Sequence, residues 1–175
     1  MSDASKWEHF QANPADDWEY DVWLMARRMA LMYHYLTEAI IARLGDDEGR
    51  KIIKAAIWKY GVHCGEQVGR VVERKGLPLT EESLRRVPDL PKRVWRTQEV
   101  PLSSGEKRRE IRFCPLAVTW RQLGTDPAVA RLYCIVDQAK IAGYNNEALE
   151  CAHAHNVLDG DEFCEVVFKT RSGKE

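Results

Sequence analysis

No CxxC pair occurs in this chain, and its five cysteines (Cys64, Cys114, Cys134, Cys151 and Cys164) are odd in number and scattered. That pattern argues against a disulfide scaffold and against a structural zinc module, so free thiols in a reducing, cytoplasmic compartment are expected. Long uncharged apolar runs are missing too. No window of about 18 residues is free of charge, so no bilayer-spanning helix is expected. Residues Met1 to Lys6 lack the basic start and apolar stretch of a signal peptide. A charge imbalance is also lacking: the formal net charge is −1, and no global field draws nucleic acid or acidic lipid to the surface. The short basic runs at Lys92-Arg93 and Lys107-Arg108-Arg109 are interspersed with acids and read as solvated faces. No repeat and no phosphate-binding loop is visible, and no nucleic acid, membrane or cofactor is expected as a partner.

What the chain does have is ordinary globular composition, 45% hydrophobic and 30% charged over 175 residues. That is enough for one domain with a real core. Residues 1–16 are polar and predict a loose arm, leaving residues 17–175 as a single α+β domain. Trp18, Val22, Met25, Met29, Met32, Leu36 and Ile40 recur at three- and four-residue steps and predict a helix from Asp17 to Leu44, stopped by Gly45. Apolar residues off that stripe leave two readings open, a buried central helix and a homodimer interface. A second helix is expected from Asp46-Asp47 to about Lys75, before Gly76. Within it Gly61, Gly65 and Gly69 stand four apart on one face. Each costs a helix about 1 kcal/mol relative to alanine, so another backbone or a ligand is expected close against that face.

The second half changes character. Thr80 predicts a short capped helix through about Arg86. Strands are expected at Arg93–Val100 and Lys107–Cys114 around a Ser103-Ser104-Gly105-Glu106 turn, followed by helices at Leu116–Leu123 and Pro127–Ala142. A second hairpin, Leu149–Leu158 with Glu162–Lys169, is expected to turn at Asp159-Gly160. The predicted architecture is α+β: a helical N-terminal half, then a four-stranded antiparallel sheet of two hairpins, covered by helices.

Candidate chemistry gathers in this half. If Asp159-Gly160 alone makes the second turn, His155 lies opposite Cys164, at the separation of directly paired residues. A one-residue slip would turn both His153 and His155 to the other face. A thiol beside an imidazole is a candidate nucleophile, because the thiolate is the reactive form; a small core cysteine is the bland alternative. Cys134 and Asp137 share a helix face, where the carboxylate is placed to act as a general base or simply to pair with Lys140. Arg112 and Cys114 alternate onto one strand face, and Arg112 is a candidate to grip a substrate carboxylate. His153 and His155, completed by Cys164 or Asp137, form the alternative of a metal site.

Several short pieces, taken in order, resemble one known family. They are Phe113-Cys114-Pro115 with the following helix through Trp120 and Leu123-Gly124, then Tyr133-Cys134-x-x-Asp137, Gly143-Tyr144-Asn145, and Gly160-Asp161-x-x-Cys164 followed by Phe168. Across residues 110–168 the chain is similar to the L-2-amino-thiazoline-4-carboxylic acid hydrolases. The resemblance implies a small hydrolase that opens a cyclic amidine or thiazoline ring at the carbon between nitrogen and sulfur. It also implies that Cys114, Cys134, Asp137 and Cys164 face one pocket. Joined with the residue-level reading, it makes Cys164, His155, Cys134 and Asp137 the catalytic candidates. Cys114, Arg112, His153, Tyr144 and Asn145 are the substrate-binding ones. The family pattern carries an arginine where this chain has His153, which leaves two readings: the substrate carboxylate is held differently here, or the substrate itself differs. The competing function is a non-enzymatic small-molecule-binding or sensory domain.

Overall fold

Gly45, at φ +83°, separates two long helices, α1 (Asp17–Leu44) and α2 (Asp46–Arg74). Asp46, Asp47 and Glu48 fill the first turn of α2, where the helix dipole favours negative charge. The computed structural model describes residues 17–87, 89–90, 94–144 and 149–170. The arm expected over residues 1–16, and Asn145, lie outside these. A short helix, α3 (Glu81–Arg86), starts at Thr80, whose hydroxyl accepts from the Ser83 amide at 3.3 Å. The first hairpin follows, β1 (Thr97–Pro101) with β2 (Lys107–Ile111), closed where Leu102 N–H donates to Glu106.

Next come α4 (Pro115–Leu123), α5 (Pro127–Tyr133) and α6 (Ile135–Gly143). The single helix expected over Pro127–Ala142 is therefore broken at Cys134. The second hairpin pairs β3 (Leu149–His155) with β4 (Glu165–Thr170). The fold is α+β, with two antiparallel strand pairs joined by one isolated bridge, in which Ile111 and Cys164 exchange both backbone hydrogen bonds.

The face that α1 turns inward is not the methionine stripe. Trp23, Ala26, Ala30 and Tyr33 are buried, while Met25 and Met32 are about three-fifths exposed, at 61% and 62%. Ala26 and Ala30 carry little apolar area, but their small size lets α4 come close. The Trp120 indole N–H reaches the Ala30 carbonyl at 3.0 Å from a buried position. Tyr33 packs tilted against Trp120 and edge-on against Tyr133, with ring centroids 5.2 and 5.3 Å away. Fully burying a large apolar side chain is worth about 1.5–3 kcal/mol, so this aromatic knot is a major anchor between α1, α4 and α5.

The glycine stripe of α2 packs backbone to backbone with α6. A Cβ on Gly61 would lie 2.5 Å from the Ala139 Cβ, and one on Gly65 would overlap the Lys140 carbonyl. Gly143 of α6 answers from the other side, where a Cβ would run into the Val62 carbonyl. This crossing fixes α6, and α6 in turn packs against β3. Tyr144 is fully buried with Val68 and Val72, and its hydroxyl donates to the Thr80 carbonyl at 3.2 Å. It is a packing residue, and its expected contact with substrate is not supported by these surroundings.

Candidate active site

The side chains of the candidate site come from several elements, and the α2–α6 crossing sets the first of them. With α6 held close, Asp137 in its first turn meets His153 on β3, its Oδ2 3.1 Å from His153 Nε2. The imidazole side chain is only 5% exposed and the carboxylate 36%. A buried ring is thus held by an acid that still reaches solvent.

Cys134 stands at the break between α5 and α6, so its thiol is set by the junction of two helices. Burial pushes this thiol up to about 12; Cys114 and Asp137 add to the rise, while the Asn156 amide and the Arg131 charge oppose it. Cys114 precedes Pro115 at the start of α4. Burial pushes its thiol up to about 11, against the backbone N–H groups of Ala117 and Leu116. Cys151, two residues before His153 on β3, is held up to about 12 by burial and by Asp137. Cys164 is also raised by burial, although its sulfur accepts from the Val157 amide at 3.3 Å. Cys114 feels both Cys134 and Cys164, and Asp137 feels Cys134, Cys151 and Cys164. These groups lie within electrostatic reach of one another, and at neutral pH the four raised thiols are protonated.

The second hairpin departs from its expected register. A bulge lies between His153 and His155, and His155 pairs with Glu165 rather than with Cys164. The turn is not Asp159-Gly160 alone, because Asn156 organises residues 156–164 around itself. Its backbone N–H donates to Asp161 Oδ2 at 2.6 Å, its carbonyl accepts from Asp159 and Asp161, and its Oδ1 accepts from Leu158 N–H at 2.9 Å. Side-chain capping of this kind outcompetes the tight two-residue turn. As a result the expected Cys164–His155 pair does not form. His155 is 42% exposed, lies 3.5 Å from Asp161 and packs on the Phe163 ring.

Arg112 is likewise occupied elsewhere. Its guanidinium pairs with Glu110 and, at 2.5 Å, with Glu162, and it lies over the Phe163 ring beside Arg108. Burial would raise the Glu110 carboxyl, but hydrogen bonds from Arg108 and Arg112 outweigh it and hold Glu110 below the usual carboxylate range. These contacts tie the hairpins together and leave Arg112 poorly suited to the substrate role expected of it.

Two residues near Cys134 escaped the sequence reading. Arg131 bonds Asp159 at 2.9 Å and also touches Cys134; burial works against its charge, but these partners outweigh it. Asn156 is 1% exposed, and its Nδ2 makes no hydrogen bond of ordinary length to any described residue. The helical step from Arg131 to Cys134 was the only available signal for the first. For the second, an Asn ahead of Asp-Gly reads simply as turn chemistry. Among the described residues no three of His, Cys, Asp and Glu are gathered closely enough to hold a metal ion. His155 turns away from the set proposed for one.

The family model described as L-2-amino-thiazoline-4-carboxylic acid hydrolase matches residues 25–168. The chain belongs to this family. No curated protein and no solved structure matches it. Membership in the thiazoline-carboxylate hydrolase family extends beyond the expected residues 110–168 to α1 and α2, and the matched span contains the whole thiol–acid cluster. Among the described residues no helix is long and apolar enough to cross a membrane.

Proposed function

We propose that this chain hydrolyses a small cyclic amidine or thiazoline carboxylate, opening the ring at the carbon between nitrogen and sulfur. The observation that carries the reading is the Asp137–His153 pair, buried on the imidazole side and standing among the cysteines. A carboxylate bonded to an imidazole orients the ring and stabilises its protonated form, which suits the ring to take a proton from an attacking water. Water adds its oxygen to the ring carbon, the bond to a ring heteroatom breaks, and the proton held by His153 passes to that leaving atom. Substrate and one water thus give one ring-opened carbamoyl product. The resting thiols are protonated, so water is a better attacking group than Cys134 or Cys164 in this setting. Arg131, beside Cys134, is the cation best sited to take the substrate carboxylate, with Asp159 as the partner it would exchange.

Incubation with 2-amino-thiazoline-4-carboxylate tests the reading: a mass gain of one water would report ring opening, and a thiol-reactive dye would respond only where the bond to sulfur is the one broken. Binding without turnover would instead favour a ligand-binding domain, and a covalent adduct on Cys134 would replace water as the attacking group.

A reducing, cytoplasmic setting fits the five free cysteines. We propose a second copy of the chain as the occupant of the exposed α1 face. Trp18, Met25 and Met32 recur every seven residues with Val22, Met29 and Leu36 between them, the spacing of paired helices. Asp21 and Arg28, both exposed, border the stripe with opposite charges. Sedimentation would read a dimer that Met25→Glu with Met32→Glu dissociates; a wild-type monomer at micromolar concentration overturns it.

A further inference from the structure

The Asn156 side chain combines three properties not found together elsewhere in the candidate site. It is almost wholly buried, its orientation is fixed, and its Nδ2 has no hydrogen-bond partner among the described residues, Cys134 being the polar group it acts on. Orientation follows from Leu158, whose backbone N–H must meet the carbonyl oxygen of the amide, leaving the NH₂ group to face the other way. On that side lies Cys134, whose thiolate the amide favours without forming a hydrogen bond of ordinary length. A buried amide donor left without a partner costs about 1–3 kcal/mol, a cost that makes sense where a ligand supplies the missing acceptor. The loop around it is unusually well determined. Both backbone groups of Asn156 are bonded, to Asp161 and to Asp159, so the amide cannot turn away without breaking the turn.

We infer that Asn156 Nδ2 is a hydrogen-bond donor to the substrate, meeting the heteroatom on the attacked carbon where electron density builds as water adds. This deepens the hydrolase reading above and rests on it. Asn156 then faces the substrate from the Cys134 side, while Asp137 and His153 serve the water. A preorganised donor of this kind costs nothing to reorient during reaction, which is the source of its effect. Both test variants keep an acceptor for the turn: in Asn156→Asp the remaining oxygen still accepts from Leu158, and in Asn156→Ser a smaller oxygen is available to do so.

The experiment measures turnover of 2-amino-thiazoline-4-carboxylate, together with melting, for wild type and both variants. Asn156→Asp, which places a carboxylate in a site only 1% exposed, is expected to melt below wild type and to lose about 10²–10³-fold in kcat, with a smaller change in KM. Asn156→Ser, which adds no charge, is expected to lose kcat without moving the limbs of the pH profile. Wild-type turnover with unchanged kcat in Asn156→Asp overturns the donor and leaves the hydrolase reading standing. A shifted alkaline limb in Asn156→Ser also overturns it, because the amide would then act through the Cys134 thiol. No turnover by wild type overturns both readings.

Discussion

Asp137 Oδ2 lies 3.1 Å from His153 Nε2, linking the first turn of α6 to the middle of β3 across the α6–β3 contact. Neither residue's neighbourhood in sequence announces the other. The pair exists because Gly61, Gly65 and Gly143 let α6 settle onto α2 and so bring its first turn over the hairpin. If the pair moves the protons of hydrolysis, Asp137→Asn keeps a hydrogen bond but loses the charge that stabilises an imidazolium. A drop of about 10²–10⁴ in kcat is expected for Asp137→Asn and for His153→Gln, with melting little changed. His155→Gln, on the exposed side of the bulge, is expected to stay within a few-fold of wild type. Steady-state assays of the three variants check this, and equal losses in His155 and His153 variants would contradict the assignment.

The crossing that supports the pair makes a separate prediction about stability. Gly65→Ala gains about 1 kcal/mol of helix propensity but drives a methyl group into the Lys140 carbonyl and the Tyr144 amide, backbone atoms that cannot step aside. Overpacking of this kind costs about 1–3 kcal/mol, occasionally more, so a net loss is expected. Gly69→Ala meets only ordinary contacts, the nearest being the Tyr144 carbonyl oxygen at 3.4 Å, and should be neutral or stabilised by up to about 1 kcal/mol. Urea unfolding of both variants gives the comparison. Opposite signs at two glycines one helical turn apart would locate the crossing.

How legible all this was depends on which physical signal set each element. The long helices could be read because their ends carry their own punctuation, Gly45 and Gly76 at positive φ and the acids of Asp46–Glu48. The inward face of α1 could not, since hydropathy weights Met25 and Met32 above Ala26 and Ala30, although it is the small residues that admit Trp120. The break at Cys134 lies within a run that looks continuously helical; no Gly or Pro marks it. The hairpin register failed for a similar reason. Asp159-Gly160 does turn the chain, but the Asn156 side chain, three residues earlier, captures the turn and widens it. The expectation that Cys114, Cys134, Asp137 and Cys164 face one pocket came from family resemblance; the partner of Asp137 and the surroundings of Asn156 and Arg131 required coordinates.

Protonated thiols should leave a signature in the pH dependence of stability. Burial raises Cys134 and Cys151 to about 12 and Cys114 to about 11, from an ordinary thiol value of 9.0. In the window from about pH 9 to pH 12 the unfolded chain loses these protons while the folded chain keeps them. The folded state then binds more protons, so its stability is full below the ordinary thiol value and falls as pH rises through the window. Melting temperatures measured from pH 7 to pH 11 are expected to fall above about pH 9, and less steeply in Cys134→Ala. Alkylation by iodoacetamide at pH 8 should accordingly be slow at these three sites in the native protein and fast after unfolding. Rapid native labelling of Cys134 would point to an activated thiolate instead.

Two arginines of this half are held by partners of very different exposure. Arg131 is 28% exposed on its side chain, bonds Asp159 on an accessible surface, and touches Cys134. Arg112 spends its fork on Glu110 and Glu162 and its face on Phe163. A carboxylate-bearing substrate can displace an exposed aspartate from Arg131 far more readily than it can displace the fully buried Glu110 from Arg112, since the buried carboxylate would be left with Arg108 alone. Arg131→Gln is therefore expected to raise KM for the thiazoline carboxylate about 10–100-fold with a smaller effect on kcat, the loss of one charge-assisted contact. Against an analogue lacking the carboxylate, Arg131→Gln and wild type should differ little. Arg112→Gln should do the reverse, lowering the melting temperature while leaving KM for either compound near the wild-type value. Measuring both variants on both compounds decides the matter: if Arg112→Gln alone raises KM for the carboxylate, the substrate is held from the β2 side and the assignment to Arg131 falls.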